Sequence, residues 1–155
     1  MPSRRTAFLL SQLGAHSAEK YRELVGALGL TPSDAGILRL LSRNPSISQR
    51  ELADRLGTVP SRVVVLIDSL ESRQLVARTR SATDRRNYEL SLTDAGSAVM
   101  QKLRDVSEQH EGAVLGTLTS LEREQLHGLL SRLAEARSVD TEVHLGYSRG
   151  GAPGS

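Results

Sequence analysis

The sequence predicts a mainly α-helical domain that contains one small β-hairpin. Most of the chain has apolar residues at helical spacing, with capping residues at the ends of these segments. One short segment, residues 75–92, has strand-forming residues on both sides of a polar tip. Aromatic residues make up only 3% of the chain, so we expect a core of Leu, Val, Ala and Ile, which suits packed helices better than a β-sandwich.

Length and composition limit the class of protein. A chain of 155 residues has the size of one domain, and we expect that domain over residues 1–137, followed by a mobile, Gly-rich tail over residues 138–155. The absence of Cys excludes disulfides and a thiol redox sensor. The sequence shows neither the ~20-residue apolar run of a membrane span nor a signal peptide. We therefore expect a cytoplasmic protein without a membrane partner.

Two helices are predicted in the first third of the chain. Apolar residues recur mostly at spacings of three, four and seven along residues 5–28, and Gly29 follows as a helix-ending residue. Thr31 and Pro32 are typical of a helix start, and Pro45 ends this second helix. We therefore expect a long amphipathic helix and then a short one.

Residues 48–72 are predicted to form a helix-turn-helix. Ser48 and Glu51 have the spacing of a capping box, so a short helix is expected to follow and to end at Gly57. Pro60 is a favoured first helical residue, and an apolar stripe at helical spacing follows it. The pattern indicates two short helices joined by a turn.

A β-hairpin and two helices complete the predicted fold. Residues 75–79 and 87–92 are the expected strands. Thr93 and Thr119 are predicted to cap the last two helices. This order is that of a winged helix-turn-helix flanked by long terminal helices. The expected bounds are about 31–92 for the winged helix-turn-helix lobe, and about 5–28 and 94–137 for the terminal helices.

Positive charge is concentrated in one segment of the chain. The net charge is only +2, but residues 48–86 contain eight Arg and five acidic residues, a local balance of +3. The remainder of the chain is therefore near −1. A segment of this kind is expected on a surface that neutralises phosphates.

The hairpin motifs, together with the helix-turn-helix, resemble those of the MarR family of bacterial transcriptional regulators over about residues 5–137. The motifs are Arg78-x-Arg80, Asp84-Arg85-Arg86 and Leu92-Thr93-x-x-Gly96. The resemblance implies a homodimer in which the first, fifth and sixth helices intertwine with those of a second copy. Two-fold symmetry would set two recognition helices roughly 34 Å apart on a pseudo-palindromic site in double-stranded DNA.

One residue departs from the family pattern. Gln74 precedes Leu75 where the family usually has Gly. A left-handed conformation costs Gln about 1 kcal/mol more than it costs Gly. The second helix of the helix-turn-helix, which starts at Pro60, is the recognition helix. We therefore expect its end to be slightly rebuilt.

The helix-turn-helix has side chains suited to contact with a DNA duplex. Arg62 is a candidate for bidentate binding to guanine, and Val64 or Val65 for contact with a thymine methyl group. Since three consecutive valines cannot all face the core, a second buried contact or a partner surface is the alternative for the outer ones. Residues at helix N-termini are expected to offer phosphates backbone N–H groups and side-chain donors. The full candidate set is Ser48, Gln49, Thr58, Pro60, Ser61, Arg62, Val64 and Val65.

The hairpin tip, or wing, supplies the second candidate DNA contact. The resemblance places a wing arginine in an adjacent minor groove, and Arg86 matches it, with Arg85 beside it and Arg80 near the same tip. Asp84 is expected to pair with an arginine and orient its side chain within the turn. The alternative is a solvated, flexible charged loop.

The resemblance also implies a crevice for a small aromatic or anionic effector between the dimerisation helices and the DNA-binding lobe. His16 lies at helical spacing from Leu9 and Leu13 and is the candidate lining residue, with Tyr21 as a weaker one. An ordinary core or interface role is the alternative for His16. The sequence has no enzyme motif and no metal-site spacing, so we expect no catalytic residue, no metal and no cofactor.

Two classes of function follow from these observations. The first is a sequence-specific DNA-binding transcriptional regulator, a dimeric repressor released by a small-molecule effector. The alternative is a winged-helix protein-interaction module without sequence-specific DNA binding. A protein-binding module would have no evident reason to place Arg80, Arg85 and Arg86 on one tip, which favours the first class.

Overall fold

The computed structural model describes residues 5–139, which form six α-helices and a three-stranded antiparallel sheet. The helices are α1 (Thr6–Gly26), α2 (Pro32–Arg43), α3 (Gln49–Leu56), α4 (Pro60–Ser72), α5 (Asp94–Leu115) and α6 (Ser120–Ala136). The strands are β1 (Ile47–Ser48), β2 (Val76–Arg80) and β3 (Tyr88–Leu92). The predicted fold class is confirmed. The predicted tail from residue 140 onward lies outside the described residues.

The sheet contains one strand that the sequence did not predict. The strand order is β1-β3-β2, and Ile47 of β1 lies opposite Leu90 of β3. The hairpin register runs from Val76 opposite Leu92 to Arg80 opposite Tyr88. Two residues are too few to show an alternating pattern, so β1 was not visible in the sequence. Its pairing joins the wing to the start of α3.

The core lies between α2, α3, α4, the sheet and the inner faces of α1 and α5. It is almost entirely aliphatic, as predicted from composition. Its largest fully buried side chains include Ile37, Leu38, Leu52, Ile67, Leu90 and Leu103. By contrast, α6 buries none of its side chains. No helix within residues 5–139 has the length and apolar character needed to cross a membrane.

Asp34 connects the start of α2 to the end of α4. Its buried carboxylate accepts a hydrogen bond from the backbone N–H of Thr31 at 3.0 Å, which completes the capping box of α2. The same carboxylate lies 2.9 Å from Nη2 of Arg73, the residue that ends α4. Nη1 of Arg73 donates to the carbonyl of Gly29 at 2.9 Å. One ion pair therefore fixes both helices to the α1–α2 turn.

The end of α4 keeps the left-handed conformation despite the Gln. Gln74 has a φ of 58°, and the backbone N–H of Leu75 donates to the carbonyl of Leu70 at 3.0 Å. The expected rebuilding of the helix end is therefore wrong. The Thr93 hydroxyl donates to the Gln74 carbonyl at 2.5 Å and accepts from the Gly96 N–H at 3.0 Å.

The same junction explains the glycine of the Leu-Thr-x-x-Gly motif. A Cβ at Gly96 would lie 2.1 Å from the carbonyl oxygen of Leu75. No real Cβ contact is that short, so only glycine allows α5 to start against this backbone. These contacts hold Gln74 in its strained conformation.

Replacing Gln74 by Gly should stabilise the protein. The change removes a left-handed strain of about 1 kcal/mol but adds freedom to the unfolded chain worth about 0.5 kcal/mol, so we expect a net gain of about 0.5 kcal/mol. Urea unfolding at matched protein concentrations measures it. The control is Gln101→Gly within α5, which should lose about 1 kcal/mol. A loss of stability for Gln74→Gly would contradict the prediction.

Candidate nucleic-acid interface

The three consecutive valines of α4 are divided between the core and the surface. Val63 is completely buried, whereas Val64 is 38% and Val65 is 68% exposed. A helix turns by about 100° per residue, so only one of three successive side chains can face the core. Val65 therefore has no second buried contact within residues 5–139, and a partner surface stays open as the alternative for both outer valines. They form an exposed apolar patch on the second helix of the helix-turn-helix.

Arg62 lies beside these valines in the first turns of α4. It is half-buried, and its Nε is shielded from solvent without a hydrogen-bond partner in the described part of the chain. Pro60 and Ser61, in the same first turn, are exposed. The Arg62 guanidinium therefore has no ion-pair partner among residues 5–139.

Some backbone N–H groups near the helix N-termini already donate hydrogen bonds within the protein. The Ser48 backbone N–H donates to the Glu51 carboxylate at 3.1 Å, and the Thr58 backbone N–H donates to the Ala53 carbonyl at 3.2 Å. The expectation that these two N–H groups face phosphates is therefore wrong, because helix capping consumes them. The Ser48 hydroxyl, which accepts from the Glu51 N–H, keeps its proton for a further acceptor.

The wing tip is a defined turn built around Asp84. Its Oδ1 accepts from the backbone N–H of Arg86 at 3.0 Å, and its Oδ2 accepts from the Asn87 amide at 3.3 Å. The expected pairing of Asp84 with an arginine side chain is wrong. An aspartate side chain is short enough to reach the backbone two residues ahead, and here it does so.

The wing arginines form a positively charged surface that no acidic side chain within residues 5–139 neutralises. Arg85 and Arg86 are exposed and make no side-chain hydrogen bond or ion pair within residues 5–139. Arg80, at the end of β2, has its guanidinium carbon 6.0 Å from the ring centre of Tyr88, a cation–π contact. The three arginines therefore remain available to an anionic partner.

Arg78 is a residue whose structural role the sequence did not reveal. It belongs to the same arginine-rich segment, yet its side chain is only 18% exposed. Its Nη1 lies 2.6 Å from Asp68 and 3.0 Å from Glu71, both in α4. Its Nε donates to the Gln49 side-chain oxygen at 3.1 Å. Only the side-chain amide nitrogen of Gln49 is therefore left for the predicted phosphate contact.

His16 and Tyr21 differ in their surroundings, and their role in an effector pocket stays a prediction. His16 is exposed on α1, whereas Tyr21 is half-buried, with its ring centre 5.3 Å from that of His110. Nε2 of His110 lies 2.8 Å from the Ser17 carbonyl, and the Tyr21 hydroxyl accepts from Arg39 at 3.1 Å. His110 is 93 residues away from Ser17, and no spacing in the sequence indicated the contact. The described residues contain no cluster of three or more potential metal ligands.

Comparison with known proteins identifies relatives across most of the chain. A model of the MarR family matches residues 28–87. The chain is 31% identical over 122 residues to the HTH-type transcriptional repressor MdtR of Bacillus subtilis, covering 79% of each protein. It is 32% identical over 112 residues to a putative transcriptional regulatory protein for the hcr operon of Thauera aromatica, covering 72% of this chain and 68% of that protein.

Solved structures show the same fold in complex with DNA. The transcriptional repressor CouR bound to a 23-mer DNA duplex matches with a TM-score of 0.73 and 32% identity, covering 83% of this chain and 91% of that one. A MarR family protein of Mycobacterium tuberculosis in complex with DNA matches with a TM-score of 0.71 and 27% identity, covering 82% and 95%.

Proposed function

The chain belongs to the MarR family, and on this premise we propose that it is a sequence-specific DNA-binding repressor that acts as a homodimer. The observation that carries the proposal is the exposed surface of α4 and the wing, which combines an apolar patch with arginines that no acidic side chain among residues 5–139 neutralises. The similarity to two proteins named as repressors, one of them solved with DNA, and to a further MarR family protein solved with DNA supports it.

The proposed DNA contacts divide between two grooves. In the major groove, Arg62 would bind guanine through its outer guanidinium nitrogens, and Val65 would contact thymine methyl groups. In the adjacent minor groove, Arg86 would insert from the wing, with Arg85 and Arg80 near the phosphates. The exposed residues of the first turn, Pro60 and Ser61, would let the helix approach the bases closely. Phosphates at the rim would meet the hydroxyls of Ser48 and Thr58 and the amide nitrogen of Gln49.

The homodimer is proposed from apolar side chains of the terminal helices that residues 5–139 leave exposed. Along α6, Leu121, Leu129 and Leu133 are exposed, and along α1, Phe8 and Leu9 are exposed. Covering apolar surface gains about 25 cal/mol per Å², so two helices with such faces favour association. A second copy offers the same faces and would set two recognition helices for a pseudo-palindromic site. Release by a small aromatic or anionic effector stays a prediction.

The proposed function predicts selective duplex binding that weakens steeply with salt. A dimer that makes on the order of 6–10 phosphate contacts should lose about 10³-fold or more in affinity between 50 and 200 mM salt, because bound counterions are released. The probe is a fluorescent duplex selected by the protein from random-sequence DNA, titrated by anisotropy. Failure to enrich any sequence would favour the protein-interaction alternative.

The exposed valines predict readout of thymine methyl groups. Replacing a contacted thymine by uracil removes only the methyl group and should cost about 0.8 kcal/mol, roughly fourfold in affinity. Val65→Ala should remove this sensitivity, since the methyl group would lose its apolar partner. Uracil placed outside the selected site serves as the control. An unchanged uracil penalty in Val65→Ala would exclude Val65 from base contact.

The apolar face of α6 predicts that charged substitutions will break the dimer. Leu129→Glu with Leu133→Glu should convert a dimer into a species of the 16.8 kDa chain mass and abolish specific DNA binding. Light scattering coupled to size-exclusion chromatography measures the mass. Glu124→Lys, on the opposite helix face by spacing, should remain dimeric. A dimeric double variant would contradict the proposed interface.

A further inference from the structure

The contacts of Arg78 differ from those of the other wing arginines. Three of its five N–H groups donate hydrogen bonds to acceptors from two helices: Nε to the Gln49 oxygen, Nη1 to Glu71, and Nη2 to the backbone carbonyl of Val64 at 3.5 Å. Nη1 also lies 2.6 Å from the Asp68 carboxylate, so two acidic groups already neutralise the guanidinium. Arg78 is therefore poorly equipped to bind a phosphate, although its position in the basic segment suggests that role.

The acidic partners of Arg78 lie on the same helix as the DNA-reading valines. Asp68 is 56% and Glu71 is 42% exposed. Asp68 follows Val64 by four residues and Val65 by three, so it continues their face of α4. A helix that carries two unpaired carboxylates on this side would repel the phosphates beside the groove. Arg78 supplies the positive charge that offsets them.

The same contacts join three elements of the interface. Gln49 is the first residue of α3, Val64 and Glu71 lie in α4, and Arg78 lies in β2, opposite Leu90 of β3. The planar guanidinium can hold these acceptors at once because its donors point in fixed directions. This one side chain of the wing therefore contacts both helices of the helix-turn-helix, in addition to the backbone contacts at the end of α4.

We infer that Arg78 is a positioning residue: it holds α4, the start of α3 and the wing in one arrangement, and it cancels the charge of Asp68 and Glu71 toward DNA. The inference rests on the proposed DNA-binding function. It assigns Arg78 a role different from that of Arg80, which lies two residues along the same strand and is exposed.

The test compares Arg78→Gln with Arg80→Gln on the duplex selected by the wild-type protein, over a series of salt concentrations. Arg80→Gln should lower the slope of log affinity against log salt by about 2 per dimer, since each protomer loses one phosphate contact. Arg78→Gln should lower affinity by about tenfold or more with the slope unchanged, since it exposes unpaired carboxylates and loosens the wing. Circular dichroism confirms that each variant is folded.

Neutralising the acidic partners provides the rescue. Asp68→Asn with Glu71→Gln should return a large part of the affinity lost in Arg78→Gln, because it removes the repulsion but does not restore the contacts of Arg78 with Gln49 and Val64. The same two changes in the Arg80→Gln protein should raise affinity by a smaller factor, because Arg78 already balances those charges there. This difference separates a specific pairing from a general gain of positive charge.

Arg78→Lys keeps the charge and covers the case in which Arg78→Gln does not fold. A lysine ammonium cannot hold all of these acceptors, so affinity should still fall several-fold. Wild-type affinity in Arg78→Lys, a reduced salt slope in Arg78→Gln, or equal rescue in both backgrounds would overturn the inference. If the wild-type protein selects no duplex, the proposed function fails and this inference fails with it.

Discussion

The position of α4 depends on two arginine side chains at its C-terminal half. Arg73 pairs with the buried carboxylate of Asp34, and Arg78 bridges Asp68 and Glu71 to β2. A helix of 13 residues is only marginally stable alone, so its orientation must come from tertiary contacts. Buried or half-buried ion pairs add little net stability, but their geometry is demanding. We infer that they specify one arrangement of the reading helix against the wing.

The arginines of the basic segment therefore serve two purposes. Arg73 and Arg78 neutralise acidic residues within the lobe, whereas Arg85 and Arg86 have no side-chain partner in the described part of the chain. A local charge count treats all of them as equal contributors to phosphate binding. The effective positive charge of the segment is therefore smaller than the count of eight arginines suggests, because two of them are neutralised within the lobe.

The two parts of the fold differ in how much of their apolar surface they bury. The lobe from α2 to β3 encloses its own aliphatic core, and α5 contributes Leu103 and Val106 to it. The helix α6 has no buried residue, and the first half of α1 is exposed. A lobe with its own core can keep its shape while its orientation changes with the terminal helices. In the proposed dimer, the spacing of the two reading surfaces would thus be set by helices that do not contact DNA.

The sequence by itself determined the features that arise from residues close together in the chain. Thr31, Ser48 and Thr119 cap their helices through partners three residues away, and helical spacing separated Val63 from Val64 and Val65. The wing and its arginine-rich tip were visible for the same reason. The DNA-contact residues remain predictions that rest on their exposure and on their contacts within the lobe.

Only the tertiary structure decided which side chains meet across long separations. No local pattern connects the elements that these contacts join. Examples are the pairing of β1 with β3, the contact of His110 with Ser17, and the contacts of Arg78 with Gln49, Val64, Asp68 and Glu71. Local propensities set where helices and strands begin, whereas packing of the common core selects which of many polar groups become neighbours.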